Sequence, residues 1–507
     1  MDQGCGELLF VNGRIWLAPP QTAEVEALLV RQGRVAAVGE LAAVRAVAGA
    51  ALEVDLQGAT LLPGLIDAHC HLLWYGEMQR RWVDLRGASS LAEIQARLRQ
   101  RLAERPPAPG EWLLGRAFDQ DRLPGGRMPT AADLDAVASD VPIVIQRVCC
   151  HALVANTRAQ ALAGVQAPEG LLTEDAMDVV WRVVPPMTAA ERVAAAELAC
   201  REAAAVGFTG AQCIVATAEE VAAFRELARR GALPIHLRLL AGDLALLDPP
   251  EAREVVPCRT LKLFADGSLG ARTAALSQPY ADQPETSGRL LWDPPALREC
   301  VRRAHCAGYQ VAIHAIGDAA IEAALTAIAA AQAAHPRPGA RHRVEHASVL
   351  PPHLVDRLAT LGVTTVVQPQ FTVSDFWTGA RLGVERAGWA YPFRTLLRKG
   401  VPVAGSTDCP VETLDPFQAI ARAVARTVRA ERLRVPEAVA LFTRGAAYAG
   451  FGEEEHGALF PGYQADLLVV PEDPRELRPR RLAALRPELT LVGGRVVHAV
   501  GRFRGLG

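Results

Sequence analysis

Short apolar runs of strand length alternate with longer stretches of helical period through the middle of the chain. The strand-like runs are Leu61 to Ala68, Thr209 to Val215, Ile235 to Leu240, Thr260 to Phe264, Gln310 to Ile313, His342 to Val344, Thr364 to Gln368 and Val401 to Ala404. Between them, segments such as Glu191 to Ala205 and Leu297 to Ala307 carry apolar residues at helical spacing. Strand–helix alternation gives a parallel sheet, and eight such units close into a barrel with its chemistry at the C-terminal strand ends. The expected fold is α/β, a (β/α)8 TIM-like barrel over residues 59–449.

Both ends of the chain read differently. Leu8 to Val11 runs into Asn12-Gly13, which predicts a hairpin turn. Ala27 to Val30, Gly33 and Val35 to Val38 predict a second hairpin. Near the other terminus, Ala465 to Val470 reads as a strand, and Leu489 to Val492, Gly493-Gly494 and Arg495 to His498 as a third hairpin. Residues 1–58 and 450–507 are therefore expected to pair into a small composite β-sandwich domain formed by both termini. The spacing within the barrel is uneven, with an insertion at about 74–190 between the first and second strands. It holds helix-like Leu91 to Leu102, a Pro-rich turn, Gly115 to Asp119 and strand-like Val141 to Val148. An insertion after the first strand is expected over the active-site mouth, where loops set substrate choice.

Composition narrows the function classes. Half of the 507 residues are hydrophobic and the net charge is −2, so no basic surplus invites nucleic acid. The longest helical apolar run, Ile321 to Ala334, is too short to span a bilayer, which needs about 20 residues. The start carries no positive segment of a secretory signal, and the ten cysteines form no C-x-x-C pair. A cytoplasmic protein acting on a small molecule is expected, with no nucleic-acid or membrane partner. Lys262 and Lys399 are the only lysines among 54 basic residues, and Asn12 and Asn156 the only asparagines. A coding bias is the plain cause and a hot habitat a second reading, against which lysine scarcity runs; a lysine that survives can stand where a guanidinium cannot serve.

The first strand ends in His69-Cys70-His71, and residues two apart on a strand face the same side. Later strand ends carry Lys262, His314, His346 and Asp408, in that order. Imidazoles and carboxylates on one rim suit zinc, with nickel, manganese or iron as further options. Each residue taken alone has a plainer reading. A single histidine is usually hydrogen-bonded surface or core, and that reading applies to His236, His305, His335, His342, His353, His456 and His498. An aspartate after a strand is most often a helix cap. A buried unpaired lysine is costly and makes poor filler. The ordered set carries much more weight than any single member.

These residues resemble the amidohydrolase superfamily, whose marks are H-x-H on strand one, Lys on four, His on five and six and Asp on eight. More narrowly, the chain is similar to the N-substituted formamide deformylase-like branch. The matching stretches are Lys262 to Gly270, His314 to Asp318, Val344 to Ala347 and Gly457 to Asp466. The resemblance implies a divalent metal centre of one or two zinc ions held by His69, His71, Lys262, His314, His346 and Asp408, with Lys262 N6-carboxylated. It implies Asp408 and His346 as catalytic groups. His151 and Asn156, in His151-Ala152-Leu153-Val154-Ala155-Asn156, resemble a substrate-side motif, with Cys150 where a glycine usually stands. Asp119 and Asp266 are placed on the substrate side with them. For Asn156 a helix cap is an equal reading. Homodimers are common in such a family.

The function implied is hydrolysis of a non-peptide C–N, amide-like bond of a small molecule by metal-activated water. The alternative is a mononuclear-metal deaminase of a cyclic or amidine substrate. Deaminases generally carry a Glu a few residues after the fifth-strand His, where this chain has Asp318. Relatives that keep the fold as assembly proteins lose the ligands, whereas every ligand type is kept here.

Overall fold

The computed structural model describes residues 6–21, 24–108, 110–147 and 152–506. The chain divides into two compact units, Met1–Leu72 with Glu197–Gly507, and Leu73–Ala196.

The first unit contains an eight-stranded parallel sheet, numbered here β1 (Leu65–Cys70), β2 (Phe208–Val215), β3 (His236–Ala241), β4 (Cys258–Phe264), β5 (Gln310–Ala315), β6 (Arg343–His346), β7 (Thr364–Val367) and β8 (Val403–Gly405). Each strand pairs with its sequence neighbour, and the helices Pro294–Cys306 and Asp318–Ala334 follow β4 and β5. This is the (β/α)8 barrel expected from the alternating pattern. The seam between β8 and β1 is closed just above the last strand by two main-chain bonds. Asp408 N donates to His69 O at 2.9 Å, and His71 N to Cys409 O at 2.7 Å. Asp67 fastens the same seam by accepting from Thr407 N at 3.0 Å and His69 N at 3.2 Å. Burial lifts its carboxyl to about 6, against these donors.

The run Leu61 to Ala68 is two strands. Thr60–Pro63 lies antiparallel to Leu467–Val470, and β1 begins at Leu65. Gly64 is the switch between the two sheets. A Cβ there would sit 2.1 Å from Thr209 Oγ1, so only glycine lets the chain cross from sandwich to barrel at this point.

Strands from both ends of the chain share one sheet, because Arg14–Trp16, Glu24–Val25 and Thr60–Pro63 join Leu467–Val470, Leu489–Val492 and Arg495–Ala499. A second sheet of Leu8–Val11, Ala27–Arg31, Arg34–Gly39 and Leu52–Asp55 packs on it. Phe10, Leu28, Leu467 and Leu489 are buried in their common core. The Ala27–Gly39 and Leu489–Ala499 hairpins form as expected, with Gln32-Gly33 and Gly493-Gly494 in the left-handed turns that such hairpins need. Asn12-Gly13 makes no hairpin. Leu8–Val11 and Arg14–Trp16 lie in different sheets, and Gly13 passes too close to Leu56 and the Ala59 carbonyl to carry a side chain.

The second unit has its own five-stranded sheet, Trp82–Asp84, Leu113–Phe118, Ile143–Arg147, Ala152–Ala155 and Leu171–Thr173. The helix Leu91–Glu104 buries Ile94 and Leu98 in its core. Ser90 caps that helix by accepting from Glu93 N at 3.2 Å.

Candidate metal centre

The barrel strands deliver their polar side chains to one rim. His69 is on β1 and His71 one residue beyond it, so alternation turns both rings the same way. Their ring centroids are 5.6 Å apart. Asp408, three residues past β8, brings Oδ1 to 3.3 Å from His69 Nε2 and 3.4 Å from His71 Nε2. The donor atoms of this trio all lie within 4.8 Å of one another. His346, the last residue of β6, stands 5.0 Å from the His69 ring and 4.5 Å from that of His314 on β5. Asp408 and His346 both have left-handed backbones, with φ of 57° and 69°. Neither is glycine, so the rim holds them in conformations an isolated chain disfavours.

Three of the imidazoles have one nitrogen engaged by an oxygen acceptor, and for His314 and His346 this fixes the proton there and leaves the other nitrogen as a lone pair. His69 Nδ1 donates to Glu345 Oε2 at 2.5 Å, His346 Nδ1 to Gln368 Oε1 at 2.9 Å and His314 Nε2 to Gly267 O at 3.0 Å. Burial pushes His346 down to about 4 and His314 well below its ordinary value. Both rings are therefore neutral, the form that binds metal. Burial also lowers His71. His69 is raised, because Asp408 and Glu345 outweigh the burial that opposes its charge. Burial raises Asp408, but the neighbouring His69 and His71 hold it well below the usual carboxylate range.

Lys262, on β4, is 1 % exposed and its Nζ has no hydrogen-bond partner. It sits 3.8 Å over the Phe264 ring. Burial lowers it to about 8, opposed by Glu345 and Asp408, and its charge in turn acts on His71, His314 and His346. An orphaned ammonium in a dry interior is unfavourable. Carboxylation of Nζ would remove that cost. Together with neutral imidazoles whose lone pairs are free, the donor set fits a divalent metal.

A wholly buried relay supports the trio. Arg343 Nε donates to Glu345 Oε1 at 2.7 Å, and its Nη2 to Glu345 Oε2 at 2.9 Å and Ala68 O at 2.7 Å. Its Nη1 donates to Gln212 Oε1. Glu345 then holds His69, and Arg343 keeps the Glu345 carboxyl far below its usual range despite burial. The sequence reading passed over Arg343, Glu345 and Gln368. The available signal was two opposite charges at i and i+2 on a fully buried strand, which have to face each other or a site.

Three residues expected on the substrate side make structural hydrogen bonds. Asn156 is buried, and both ends of its amide are used. Oδ1 accepts from Ile143 N at 3.0 Å and Ala159 N at 2.9 Å, and Nδ2 donates to Val141 O at 2.9 Å and Ala138 O at 3.2 Å. It is the cap of helix Thr157–Ala163. Asp266 is likewise buried, accepting from Gly317 N at 2.8 Å, Ala275 N at 2.9 Å and Ile316 N at 3.0 Å. It shapes the loops after β4 and β5, and its Oδ1 lies 3.4 Å from His314 Nε2. Asp119 caps the turn Gln120–Arg122 by accepting from Asp121 N at 3.2 Å. His151 and Cys150 lie outside the described residues.

A barrel with inward-facing histidines, a buried lysine and an aspartate at its strand ends defines a metal-dependent hydrolase. The chain belongs to the amidohydrolase family, whose description matches residues 52–498. It is similar to YtcJ of Bacillus subtilis (strain 168), a protein named as an amidohydrolase, at 33% identity over 88% of this chain and 90% of that one. It is also similar to the N-substituted formamide deformylase of Arthrobacter pascens, at 27% identity over 96% and 97% of the two chains. The structure of an uncharacterized metal-dependent hydrolase from Pyrococcus furiosus superimposes with a TM-score of 0.81 and 31% identity, over 93% of this chain and 100% of that one. Among the described residues no helix is long and apolar enough to cross a membrane.

Proposed function

We propose that the protein hydrolyses a non-peptide C–N, amide-like bond of a small molecule, with a divalent metal held by His69, His71, His314, His346, Asp408 and an N6-carboxylated Lys262. The observation that carries this reading is Lys262, a buried amine without a partner whose charge acts on three rim histidines. Carboxylation would give Nζ an anionic head able to serve as a further ligand, and zinc suits the ligand types. When bound, such an ion supplies Lewis acidity that activates water near neutral pH. Asp408 enters ionised, accepts the proton of the attacking water and passes it to the departing nitrogen. His346 donates its Nδ1 proton to Gln368, which leaves Nε2 as the nitrogen that would serve as a ligand. The Arg343–Glu345 relay keeps the His69 ring from turning. The similarity to a formamide deformylase supports a C–N bond as the target.

The deaminase alternative has less support. Asp318 stands where a deaminase acid is expected, but its Oδ1 accepts from Ser277 N at 2.9 Å and its Oδ2 from the Ser277 hydroxyl. The deciding experiment is a panel of N-acyl, N-formyl, lactone and amidine compounds, run on metal-analysed protein. Amine release from the acylated or formylated amines supports the reading, and turnover confined to lactones or amidines overturns it. Lys262→Arg keeps the charge, cannot be carboxylated, and is expected to lose more turnover than the about 10–100-fold typical when a partner behind a metal ligand is removed.

A further inference from the structure

A second set of ligating side chains lies at the opposite end of the barrel strands, in the same compact unit. His236 is the first residue of β3, whereas the rim ligands stand at or beyond strand C-termini. Asp466 immediately precedes the sandwich strand Leu467–Val470, and His456 lies between that strand and the helix Ala446–Ala449. His236 Nε2 donates to Asp466 Oδ1 at 3.1 Å, and His456 Nδ1 to Oδ2 at 2.7 Å. Gly493 N completes the carboxylate at 2.8 Å. The two imidazole centroids are 4.7 Å apart, and one donor atom from each of the three residues lies within 4.8 Å of the others, as in the rim trio.

We propose that His236, His456 and Asp466 bind a divalent transition ion, zinc by ligand type, which staples the composite sandwich to the N-terminal end of the barrel. Two imidazoles with a carboxylate suit zinc, copper or nickel and disfavour calcium and magnesium, which take oxygen ligands. Bonds of about 2.0–2.2 Å in a tetrahedron put ligand atoms roughly 3.3–3.6 Å apart. The rim pairs, at 3.3 and 3.4 Å, already have that spacing. Here the two ring nitrogens stand 3.1 and 2.7 Å from different oxygens of Asp466, so each already has a carboxylate oxygen near ligand spacing, and the shorter pair opens by less than about 1 Å. On binding, a neutral imidazole moves its proton to its other nitrogen, and a cationic one releases a proton to solvent.

A cavity of about 470 Å³, lined by all three residues, gives the ion a path in and room for a water as fourth ligand. Arg238 and Arg495 line the same cavity. Their charge weakens cation binding, so this site fills after the rim and accepts an anion readily as fourth ligand. The His236 side chain is 41% exposed and the Asp466 side chain 4%. Solvent therefore reaches the ligands from the histidine side, and the carboxylate anchors the site from within.

Hydrogen bonds alone also hold this trio, and one substitution separates the two readings. In His236→Gln the amide still donates to Asp466, but the imidazole ligand is gone. Metal-stripped full-length protein is titrated with Zn2+ against a chromophoric chelator, and the melting temperature is followed with and without the ion. Wild type is expected to take up one equivalent more than His236→Gln and His456→Gln, with a Zn2+-dependent rise in melting temperature that both variants lose. Rim-bound metal and hydrolase activity stay at the wild-type level in His236→Gln, whose exposed side chain tolerates the change. Equal uptake by wild type and both variants overturns the proposal.

Discussion

Glu345→Gln probes how the barrel interior holds its metal ligand. The substitution is isosteric, and an amide oxygen can still accept from His69 Nδ1. What disappears is the charge that Arg343 grips with two nitrogens at 2.7 and 2.9 Å. Arg343 and Glu345 are both 0% exposed, so the guanidinium is left as a buried cation without a counter-ion. Stranding one partner of such a pair costs about 3–5 kcal/mol. The amide is also free to flip and present its NH2 to His69, which would turn the ring or its tautomer. Losses of this kind typically lower metal affinity or activity by about 10–100-fold. The assay is metal retention against a chelator series, read beside the urea midpoint of the same samples. The double variant Arg343→Met, Glu345→Leu then separates the two effects. It removes both charges, so stability recovers most of the loss while metal affinity stays low. Wild-type metal affinity in Glu345→Gln, or recovered affinity in the double variant, would refute the positioning role.

Two further predictions follow from the fold. His342 is wired as a neutral ring, its Nδ1 accepting from Val311 N at 3.0 Å and its Nε2 donating to His305 Nδ1 at 2.8 Å, and burial with His305 nearby lowers it from 6.5 to about 3. Between those values the unfolded chain binds the proton and the native chain does not, so stability is steady above 6.5 and falls as pH drops through the window. Urea unfolding of metal-stripped protein across that range should show the slope, to which His346 and His314 also contribute, and His342→Gln should reduce it; an unchanged slope in the variant would exclude His342 as a cause. Gly64→Ala puts a methyl 2.1 Å from Thr209 Oγ1 and should destabilise by about 1–3 kcal/mol, with Thr209→Ala in the same chain restoring part of it. A neutral Gly64→Ala would mean that the sheet switch is not tight.

The eight barrel strands were legible because each is a short apolar run with a punctuated end, and the rim histidines because β1 alternates at a period of two. The Gly64 switch was not, since nothing local to Leu61 to Ala68 says that its two halves belong to different sheets. That depends on Thr209 and Asp466, both distant in sequence. Asn12-Gly13 misled for a similar reason, because turn chemistry fixes the bend but not which sheet receives the next strand. Rarity drew attention to Asn156, yet its amide holds together one corner of the second unit. His236 and His456 read as ordinary hydrogen-bonded residues, and the hydrogen bonds are there. Their convergence on one carboxylate from separate segments needs the folded chain. Arg343 and Glu345 were overlooked because charges in a strand read as exposed, whereas here they fill the barrel interior.

Anomalous scattering from crystals of the metal-loaded enzyme, collected at the absorption edge of the bound ion, tests the central claim most directly. The account predicts a rim peak about 2.0–2.2 Å from His69 Nε2, His71 Nε2 and an Asp408 oxygen, with density extending from Lys262 Nζ toward it. No peak at the rim, or a bare lysine with metal bound there, would contradict it.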